Sequence, residues 1–432
     1  MAIKDDPMFK KIQSIYVARH YYFADLRFHL SRSIGPYVFL AMYRFALIYN
    51  RSAALAYLLA SLRSRVTETG LTLLKVNLQA IVANYFSANK LVSKNPKPSR
   101  MFDRLLVVAY PTPNRKGLVF IKFTETFHIL LLDPTTVRRL LRDYHLVLEP
   151  SWSGYALPEI LAWTAFAQTK IFIECAEKED FRLISELKGN LVPLRIGSGD
   201  WVDYGATSAE VYQPLAAKKY DITLVANFNP IKRIHIFFRM LNKITAHKPI
   251  KAALVCANFG SQRLAVEKLL SLHRHLEIDY FVDLNTAQLN EILLESKYVS
   301  LLTLKEGSNR SLFEAVALNC PIILLAGNVG VNRDNVNAAT GHIFTEKEIV
   351  RFFIGNPDPT KHPRNWGIEH ISHGASMEKV LQAVYGFDYR TLYGQFFRNK
   401  VNSPEMAYDY EDALFNRKAN HDCLNRYFSD CD

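Results

Sequence analysis

The chain has 432 residues, of which 49% are hydrophobic and 12% aromatic, and these shares exclude a disordered chain and predict two or three globular domains. The formal net charge is +12, and the first 100 residues hold fifteen Lys and Arg against four Asp and Glu. The longest apolar region, at 36–62, is interrupted by Arg44 and Arg51, so a membrane-spanning helix of about 20 apolar residues is not expected there.

Five cysteines are scattered along the chain without a CxxC pair. This usage predicts small buried thiols in a reducing cytoplasm. The first 30 residues contain no unbroken apolar core that ends in a small-residue cleavage site, so no signal peptide is expected.

Residues 1–98 are predicted to form a basic, aromatic-rich helical extension. Long apolar stretches with interspersed Lys and Arg residues continue until the Pro- and Lys-rich segment KNPKPSR at 94–100, which is typical of a linker. After this segment the hydrophobic pattern changes to short apolar runs that alternate with helix-length segments.

The first set of runs falls in 99–217: RLLVVAY at 104, HLVLEP at 145, KIFIECA at 170 and LVPLRIG at 191. A second set falls in 218–385: DITLVANF at 221, KAALVCANF at 251, DYFVD at 279, YVSLLTL at 298 and PIILLAG at 321. Such alternation predicts parallel sheets with crossover helices. We therefore expect an α/β protein with two Rossmann-like domains facing a cleft, followed at 386–432 by helices that return over the surface.

The stretch EGSNRSLFE at 306–314 lies where one predicted strand ends and a helix begins. Parallel sheets bind ligands at such carboxyl ends, and helix N-termini there attract anions. Gly307 permits close backbone approach, Ser308 or Asn309 can cap the helix, and Arg310 adds a positive charge. The carboxylates of Glu306 and Glu314 can accept hydrogen bonds from sugar hydroxyls. The alternative is an exposed Glu306–Arg310 pair beside a merely solvated Glu314.

Two other predicted strand ends point to the same chemistry. Lys232 and Arg233 follow the first strand of the second set, and a loop at 326–344 contains Gly327, Gly330 and Gly341. Two basic side chains, a helix N-terminus and a glycine-bearing loop have diphosphate binding as their simplest common purpose.

Residues 221–345 resemble the C-terminal domain of retaining, group 1 (family 4-like) glycosyltransferases with the two-Rossmann GT-B fold. The resemblance is carried by the E-x7-E pair Glu306 and Glu314, by Lys232, by Pro321 and by TGHIF at 340–344. The segment PRNWGIEHIS at 363–372 also resembles a C-terminal segment of some bacterial members. The resemblance to the family covers 221–385 well, covers 103–215 only in the alternation of predicted strands and helices, and does not extend to 1–95.

The resemblance implies transfer of a sugar from a nucleotide-sugar donor to an acceptor with retention of configuration, with no cofactor and no metal at the diphosphate. The residues it implies as catalytic are Lys232, Arg310 and Glu306, where the two cations stabilise the leaving diphosphate and Glu306 lies near the donor sugar. The residues it implies as donor-binding are Asn227, Arg233, Gly307, Ser308, Asn309 and Glu314, the last of which binds the ribose hydroxyls.

The sequence departs from the family pattern at two places. Asn227 stands five residues before Lys232, where the family commonly has an arginine, and EGSNR replaces the usual E-G-F-G. We hypothesise that Arg310 supplies the missing positive charge.

The acceptor-side candidates are Lys116, in the loop PTPNRKG at 111–117, and Glu149, Trp152 and Ser153, in EPSWSG at 149–154. Both loops are expected at strand carboxyl ends that face the same cleft. An indole can stack on a sugar, and the polar groups can bind its hydroxyls. The alternative is a strand-end turn with Trp152 in the core.

The basic and aromatic segments at 8–90 predict peripheral attachment to an anionic membrane surface on its cytoplasmic side, which suits a lipid-linked acceptor. The competing interpretation is an extension packed on the neighbouring domain with solvated arginines. Nucleic acid is the least favoured partner, since no recognised motif accompanies the charge. The favoured function is a glycosyltransferase of bacterial surface polysaccharide or lipid-linked glycan synthesis; the alternatives are a GT-B sugar-nucleotide epimerase and a catalytically silent binding partner.

Overall fold

The computed structural model describes residues 7–89, 102, 104–204, 218–307, 309–357, 362–386 and 417–428. The chain divides into two compact units: unit 1 comprises Met1–Leu30 and Val202–Ser372, and unit 2 comprises Ser31–Trp201 and His373–Asp432. Each unit contains one sheet with helices, which confirms the predicted α/β class with two sheets. The domain limits expected from the sequence stay predictions.

The described helices are α1 Pro7–Val17, α2 Arg19–Ser33, α3 Gly35–Ala46, α4 Arg51–Ser64, α5 Glu68–Asn89, α6 Thr124–Leu131, α7 Pro134–Asp143, α8 Pro158–Leu161, α9 Lys178–Leu187, α10 Ile234–Thr245, α11 Arg263–Leu272, α12 Thr286–Leu294, α13 Arg310–Ala317, α14 Glu346–Ile354, α15 Pro363–His370, α16 His373–Tyr385 and α17 Arg417–Phe428. The described strands are β1 Leu105–Ala109, β2 Gly117–Lys122, β3 Tyr144–Glu149, β4 Ile171–Glu174, β5 Leu191–Leu194, β6 Ile222–Asn227, β7 Lys251–Ala257, β8 Glu277–Val282, β9 Val299–Leu301, β10 Ile322–Leu325 and β11 Gly341–Phe344. The predicted C-terminal helices lie outside the described residues, except for α17.

The sheet of unit 1 has six parallel strands in the order β11-β10-β9-β6-β7-β8. The chain builds outward from β6 to β8 and then crosses back to β9, so the order reverses between β6 and β9. This is the doubly wound Rossmann order, in which the reversal opens a ligand crevice at the carboxyl ends of the strands. The strands predicted from 221, 251, 279, 298 and 321 are all confirmed.

The core of unit 1 lies between this sheet and its helices. Helix α10 buries Ile234, Phe237, Phe238 and Leu241, a spacing of three and four residues that places one apolar face on the sheet. Ala18, between α1 and α2, and Tyr21, in α2, are buried in the same cluster. The N-terminal helices up to residue 30 therefore take part in the core of unit 1.

The sheet of unit 2 has the order β1-β2-β3-β4-β5, in which β1 is antiparallel to β2 and the other pairs are parallel. The sequence analysis did not predict β2. The seven-residue segment between β1 and β2 is too short for a parallel crossover, which needs a dozen or more residues. Consequently the loop at 111–117 lies at the sheet edge opposite to the carboxyl end of β3. The expectation that loops 111–117 and 149–154 share an edge is wrong.

Helices α3, α4 and α5 pack with the core of unit 2, where Leu58, Leu62 and Leu74 are buried. Cys175, Cys256 and Cys320 are buried and form no disulfide, as predicted, whereas Cys423 is only half-buried and Cys431 lies outside the described residues. Among the helices that the structure describes, none is both long and apolar enough to cross a membrane.

Candidate functional site

The loop after β6 presents Lys232 at the carboxyl edge of the Rossmann-order sheet. The side chain of Asn227, the last residue of β6, accepts a hydrogen bond from the Asn229 backbone N–H at 3.0 Å. Asn229 in turn caps the short turn Pro230–Lys232 by accepting from Ile231 N–H at 3.2 Å. Asn227 therefore shapes the loop that carries Lys232, and its predicted contact with a donor stays a prediction.

Lys232 and Glu306 meet although they are 74 residues apart in the chain. Lys232 Nζ donates to Glu306 Oε1 at 2.5 Å, and both side chains are largely buried, with 11% and 6% of their surface exposed. Glu306 is thus paired with Lys232 rather than with Arg310, so the alternative of an exposed Glu306–Arg310 pair is wrong. A charge pair withdrawn from water in this way costs desolvation free energy, and removal of one partner would leave a buried charge uncompensated.

The loop after β10 fixes the backbone at Glu306. Glu306 N–H donates to Val329 O at 2.8 Å, and Val329 N–H donates to Leu304 O at 2.9 Å. Asn328 is buried and donates through Nδ2 to Thr303 O at 3.0 Å. Gly330 adopts a positive φ of 111°, which favours glycine at this position. The glycine-bearing loop predicted from the sequence therefore contacts the segment that carries Glu306.

Helix α13 begins at Arg310, directly after this segment. Asn309 caps it, since its Oδ1 accepts from Leu312 N–H at 2.8 Å. The backbone N–H groups of the first helical turn have no acceptor within the helix and carry its positive dipole end. The Arg310 side chain is exposed beside them. Gly307 is half-buried, and Ser308 lies outside the described residues.

Glu314 follows Arg310 by four residues, in the same helix. Its side chain is half-buried, and burial raises the pKa of its carboxyl above the ordinary value, an effect that the charge of Arg310 partly opposes. Its carboxylate oxygens can accept hydrogen bonds from ligand hydroxyls.

Arg233 does not share the environment of Lys232. It adopts a positive φ of 55°, and its guanidinium is buried, with Nε donating to Asp25 Oδ1 at 2.8 Å and Nη2 donating to Glu346 Oε1 at 3.1 Å. Its predicted role in binding the nucleotide-sugar stays a prediction, because its guanidinium N–H groups already hydrogen-bond to carboxylates of unit 1.

In unit 2 a buried ion pair lies at the carboxyl ends of β2 and β3. Lys122 Nζ lies 3.4 Å from Glu149 Oε1, and both residues end neighbouring parallel strands in register. Glu174 ends the next strand, β4, and its Oε1 accepts from Trp201 Nε1 at 3.0 Å. Sequence analysis selected only Glu149; the signal for Lys122 and Glu174 was a charged residue that closes an otherwise apolar run.

The other acceptor-side candidates fall in different places. Trp152 is 51% exposed, so the alternative that placed it in the core is wrong, whereas Ser153 is buried. Lys116 lies at the opposite edge of the sheet, where its Nζ donates to Leu141 O at 2.6 Å. The geometry therefore separates Lys116 from the edge that carries Glu149.

In the part of the chain that the structure describes, no group of three or more His, Cys, Asp or Glu side chains is placed to hold a metal ion. No family model and no curated protein matches the chain.

Several solved structures are similar to the chain at low identity. TarM is 13% identical with a TM-score of 0.47, over 62% of this chain and 54% of that one. Anabaena HepE in complex with UDP and glucose is 14% identical with a TM-score of 0.45, over 61% and 77%. The lipopolysaccharide outer core galactosyltransferase WaaB is 13% identical with a TM-score of 0.43, over 72% and 80%. The chain spans about half the length of the TarM structures it matches.

Proposed function

We propose that the protein is a GT-B glycosyltransferase that moves a hexosyl group from a nucleotide-sugar donor to a glycan or lipid-linked acceptor with retention of configuration. The observation that supports this most is the Lys232–Glu306 pair, which lies at the carboxyl edge of a Rossmann-order sheet. The capped N-terminus of α13 directly follows Glu306 in the chain. Such an edge is where parallel sheets bind nucleotides.

The donor diphosphate is assigned to the N-terminus of α13. The first-turn N–H groups other than that of Leu312, which Asn309 caps, supply positive charge there together with the exposed Arg310 guanidinium and the Lys232 ammonium. Glu306 holds the ammonium in place. Glu314 is assigned to the ribose hydroxyls, since it lies one turn into α13 and its carboxylate oxygens can accept hydrogen bonds from them.

In the proposed reaction the bond between the anomeric carbon and the diphosphate oxygen breaks, and its electron pair stays on the diphosphate. A bond forms between the same carbon and an acceptor hydroxyl oxygen on the same face of the sugar, and the hydroxyl proton ends on the departing diphosphate. The positive groups at the α13 N-terminus stabilise the charge that develops on the leaving group, which is the kind of interaction that often dominates catalysis. No metal and no cofactor take part in this proposal.

The acceptor is assigned to unit 2, where Glu149 is held by Lys122 and Trp152 is exposed. The proposed role is the synthesis of a bacterial surface polysaccharide or lipid-linked glycan at the cytoplasmic side of a membrane. The excess of arginine in the N-terminal helices supports this location.

The test is a thermal-shift and product panel with UDP-, GDP-, ADP- and dTDP-sugars. We expect one donor to stabilise the wild type and to release its nucleoside diphosphate slowly, and we expect Arg310→Ala and Glu314→Gln each to weaken its binding about tenfold. Arg351→Ala removes an exposed arginine from α14 and serves as the matched control.

Product analysis separates the alternatives. An isomerised sugar nucleotide without acceptor would indicate an epimerase, and binding without turnover would indicate a silent partner. Absence of stabilisation and of product release with every donor would overturn the donor-site assignment.

A further inference from the structure

Helix α3 and the turn after it present a continuous apolar face to solvent. The exposed residues on it are Ile34, Tyr37, Val38, Met42, Phe45, Ile48 and Tyr49, which we call the α3 face. From Ile34 to Phe45 they recur with the three- and four-residue spacing of one side of a helix, and Ile48 and Tyr49 continue this side in the turn after α3. Phe45 and Ile48 are 65% and 81% exposed. Contiguous apolar surface of this kind marks an interaction site in a folded protein.

The opposite side of α3 is already committed to the core of unit 2. Tyr43 and Ala46 are buried in that core, and the Tyr43 hydroxyl accepts from Asn77 Nδ2 at 3.2 Å. Ser61 Oγ of α4 also donates to Pro36 O at 2.9 Å. These contacts fix the rotation of α3 about its axis, so the α3 face cannot turn inward without loss of the core packing.

The segment of unit 2 that carries the α3 face is rich in arginine. Between Leu30 and Glu68 there are five arginines and no acidic residue or lysine, and of these Arg32 pairs with Glu179. Arg44 and Arg51, which flank the end of α3, are exposed. Tyr37 and Tyr49 stand near the two ends of the face, and tyrosine is a residue that favours the boundary between lipid chains and water.

We propose that the α3 face is the surface through which the protein binds an anionic lipid bilayer, with α3 lying in the headgroup region. This rests on the proposed function, to which it adds the partner and the residues that contact it. An apolar face rimmed by cations is the composition that lipid interfaces select, and each arginine near an anionic surface strengthens binding about fivefold. A second copy of the chain is a poorer occupant, because a twofold contact through this face would oppose arginines with no acid to pair them.

The experiment is sedimentation of the full chain with vesicles of phosphatidylcholine that contain phosphatidylglycerol, compared with phosphatidylcholine alone. We expect binding to the anionic vesicles only. Phe45→Glu and Ile48→Glu should each weaken it at least about tenfold. Val76→Glu is the matched control, since Val76 is a 79% exposed residue of α5 that is not part of the α3 face. Arg44→Gln should weaken binding several-fold, whereas Arg138→Gln, on α7, should not.

Binding that is absent, or that Phe45→Glu and Ile48→Glu leave unchanged, would overturn the proposal. Self-association in ultracentrifugation that Phe45→Glu abolishes, without vesicle binding, would assign the face to a second copy instead. Thermal shifts with soluble sugar nucleotides, measured on the same variants without lipid, separate this test from that of the proposed function. Vesicle binding by a protein that processes no donor would leave the α3 face supported and the enzymatic proposal refuted.

Discussion

Asp25 of helix α2 and Arg233, the residue after Lys232, form a buried ion pair across 208 residues of sequence. Arg233 Nε donates to Asp25 Oδ1 at 2.8 Å, and the imidazole Nε2 of His235 lies 3.4 Å from the other carboxylate oxygen. Tyr21, one turn before Asp25, stacks on His235 with ring centroids 5.1 Å apart. The N-terminal helix is thereby tied to the loop that presents Lys232, so Asp25 is a candidate positioning residue for the proposed donor site.

Asp25→Ala should lower the free energy of unfolding by about 3 kcal/mol, because Arg233 would lose one of the two carboxylates that compensate its buried charge. Burial opposes ionisation of Asp25, but the contacts from His235 and Arg233 outweigh it, so the pKa of this carboxyl lies below its ordinary value of 3.8. An acid with a lowered folded-state pKa stabilises the fold above its unfolded-state pKa. Its contribution is therefore lost as the pH falls below about 3.8.

Chemical denaturation of Asp25→Ala against wild type measures this effect. The control is Glu267→Ala, which breaks a solvent-exposed pair with Arg263 and should cost far less. Equal losses of unfolding free energy in the two variants would show that the Asp25–Arg233 pair stabilises the fold no more than an exposed ion pair does. Donor KM and kcat of Asp25→Ala then report whether the loop position of Lys232 depends on it.

Lys232→Met should destabilise the protein by about 3 kcal/mol, since it leaves the buried Glu306 carboxylate without its cation. Glu306→Gln should destabilise it as well, and the double variant should recover much of the loss because no uncompensated charge remains. Thermal unfolding of the four proteins forms the cycle. Additive losses would show that the two side chains do not interact across the 2.5 Å contact.

Trp152→Ala tests the acceptor side separately from the fold. The indole is about half exposed, so its removal should leave Tm unchanged, and donor hydrolysis without acceptor should also continue at the wild-type rate. The KM for a sugar acceptor should rise about tenfold through loss of the stacking surface. A fall in Tm of several degrees, or a loss of donor hydrolysis, would contradict the assignment of Trp152 to acceptor binding.

The sequence predicted the elements of unit 1 well because buried parallel strands appear as unbroken apolar runs. DITLVANF became β6, and the three-and-four spacing of apolar residues in the next segment became α10. The β1–β2 hairpin was missed since the turn PTPN was interpreted as a loop to a ligand rather than as a reversal of the chain. The error placed Lys116 at the wrong edge.

The side-chain partners could not be predicted in the same way. Lys232 and Arg233 are adjacent cations in the sequence, yet the left-handed backbone at Arg233 directs it to Asp25 while Lys232 turns to Glu306. That choice depends on the path of a loop and on the packing of a helix more than 200 residues away. Local patterns therefore selected this loop as a candidate ligand site but could not predict which partner each of its two cations would take.

The imidazole of His145, in strand β3, should make the stability of unit 2 depend on pH. Burial, together with the charge of Lys116, lowers its pKa from 6.5 to about 4. A base with a lowered folded-state pKa stabilises the fold fully above its unfolded-state pKa, and this contribution is lost as the pH falls from 6.5 to about 4. With allowance for solvent screening the loss is about 2 kcal/mol. Denaturation of wild type and His145→Gln at pH 7 and pH 4.5 checks it, and an equal pH slope in both would refute the assignment.

Glu314→Gln should separate stability from binding. Burial raises the pKa of Glu314, so its ionised form at neutral pH is penalised in the folded state, and the neutral glutamine removes that penalty. An acid with a raised folded-state pKa favours the fold below its unfolded-state pKa and loses this contribution as the pH rises through the folded-state value. We therefore expect the ligand-free variant to have a Tm a few degrees higher than wild type at pH 7, and no higher at pH 4.

The same variant should lose most of the donor-induced thermal shift, because an amide accepts hydrogen bonds from ribose hydroxyls less strongly than a carboxylate does. Glu267→Gln, which alters an exposed carboxylate paired with Arg263, is the matched control and should change neither quantity. A rise in Tm together with an undiminished donor shift would show that Glu314 is buried without binding the donor. A fall in both the Tm and the donor-induced shift would show instead that the charge of Glu314 stabilises helix α13. A residue kept only for binding lowers the stability of the ligand-free fold, so its removal should raise the Tm.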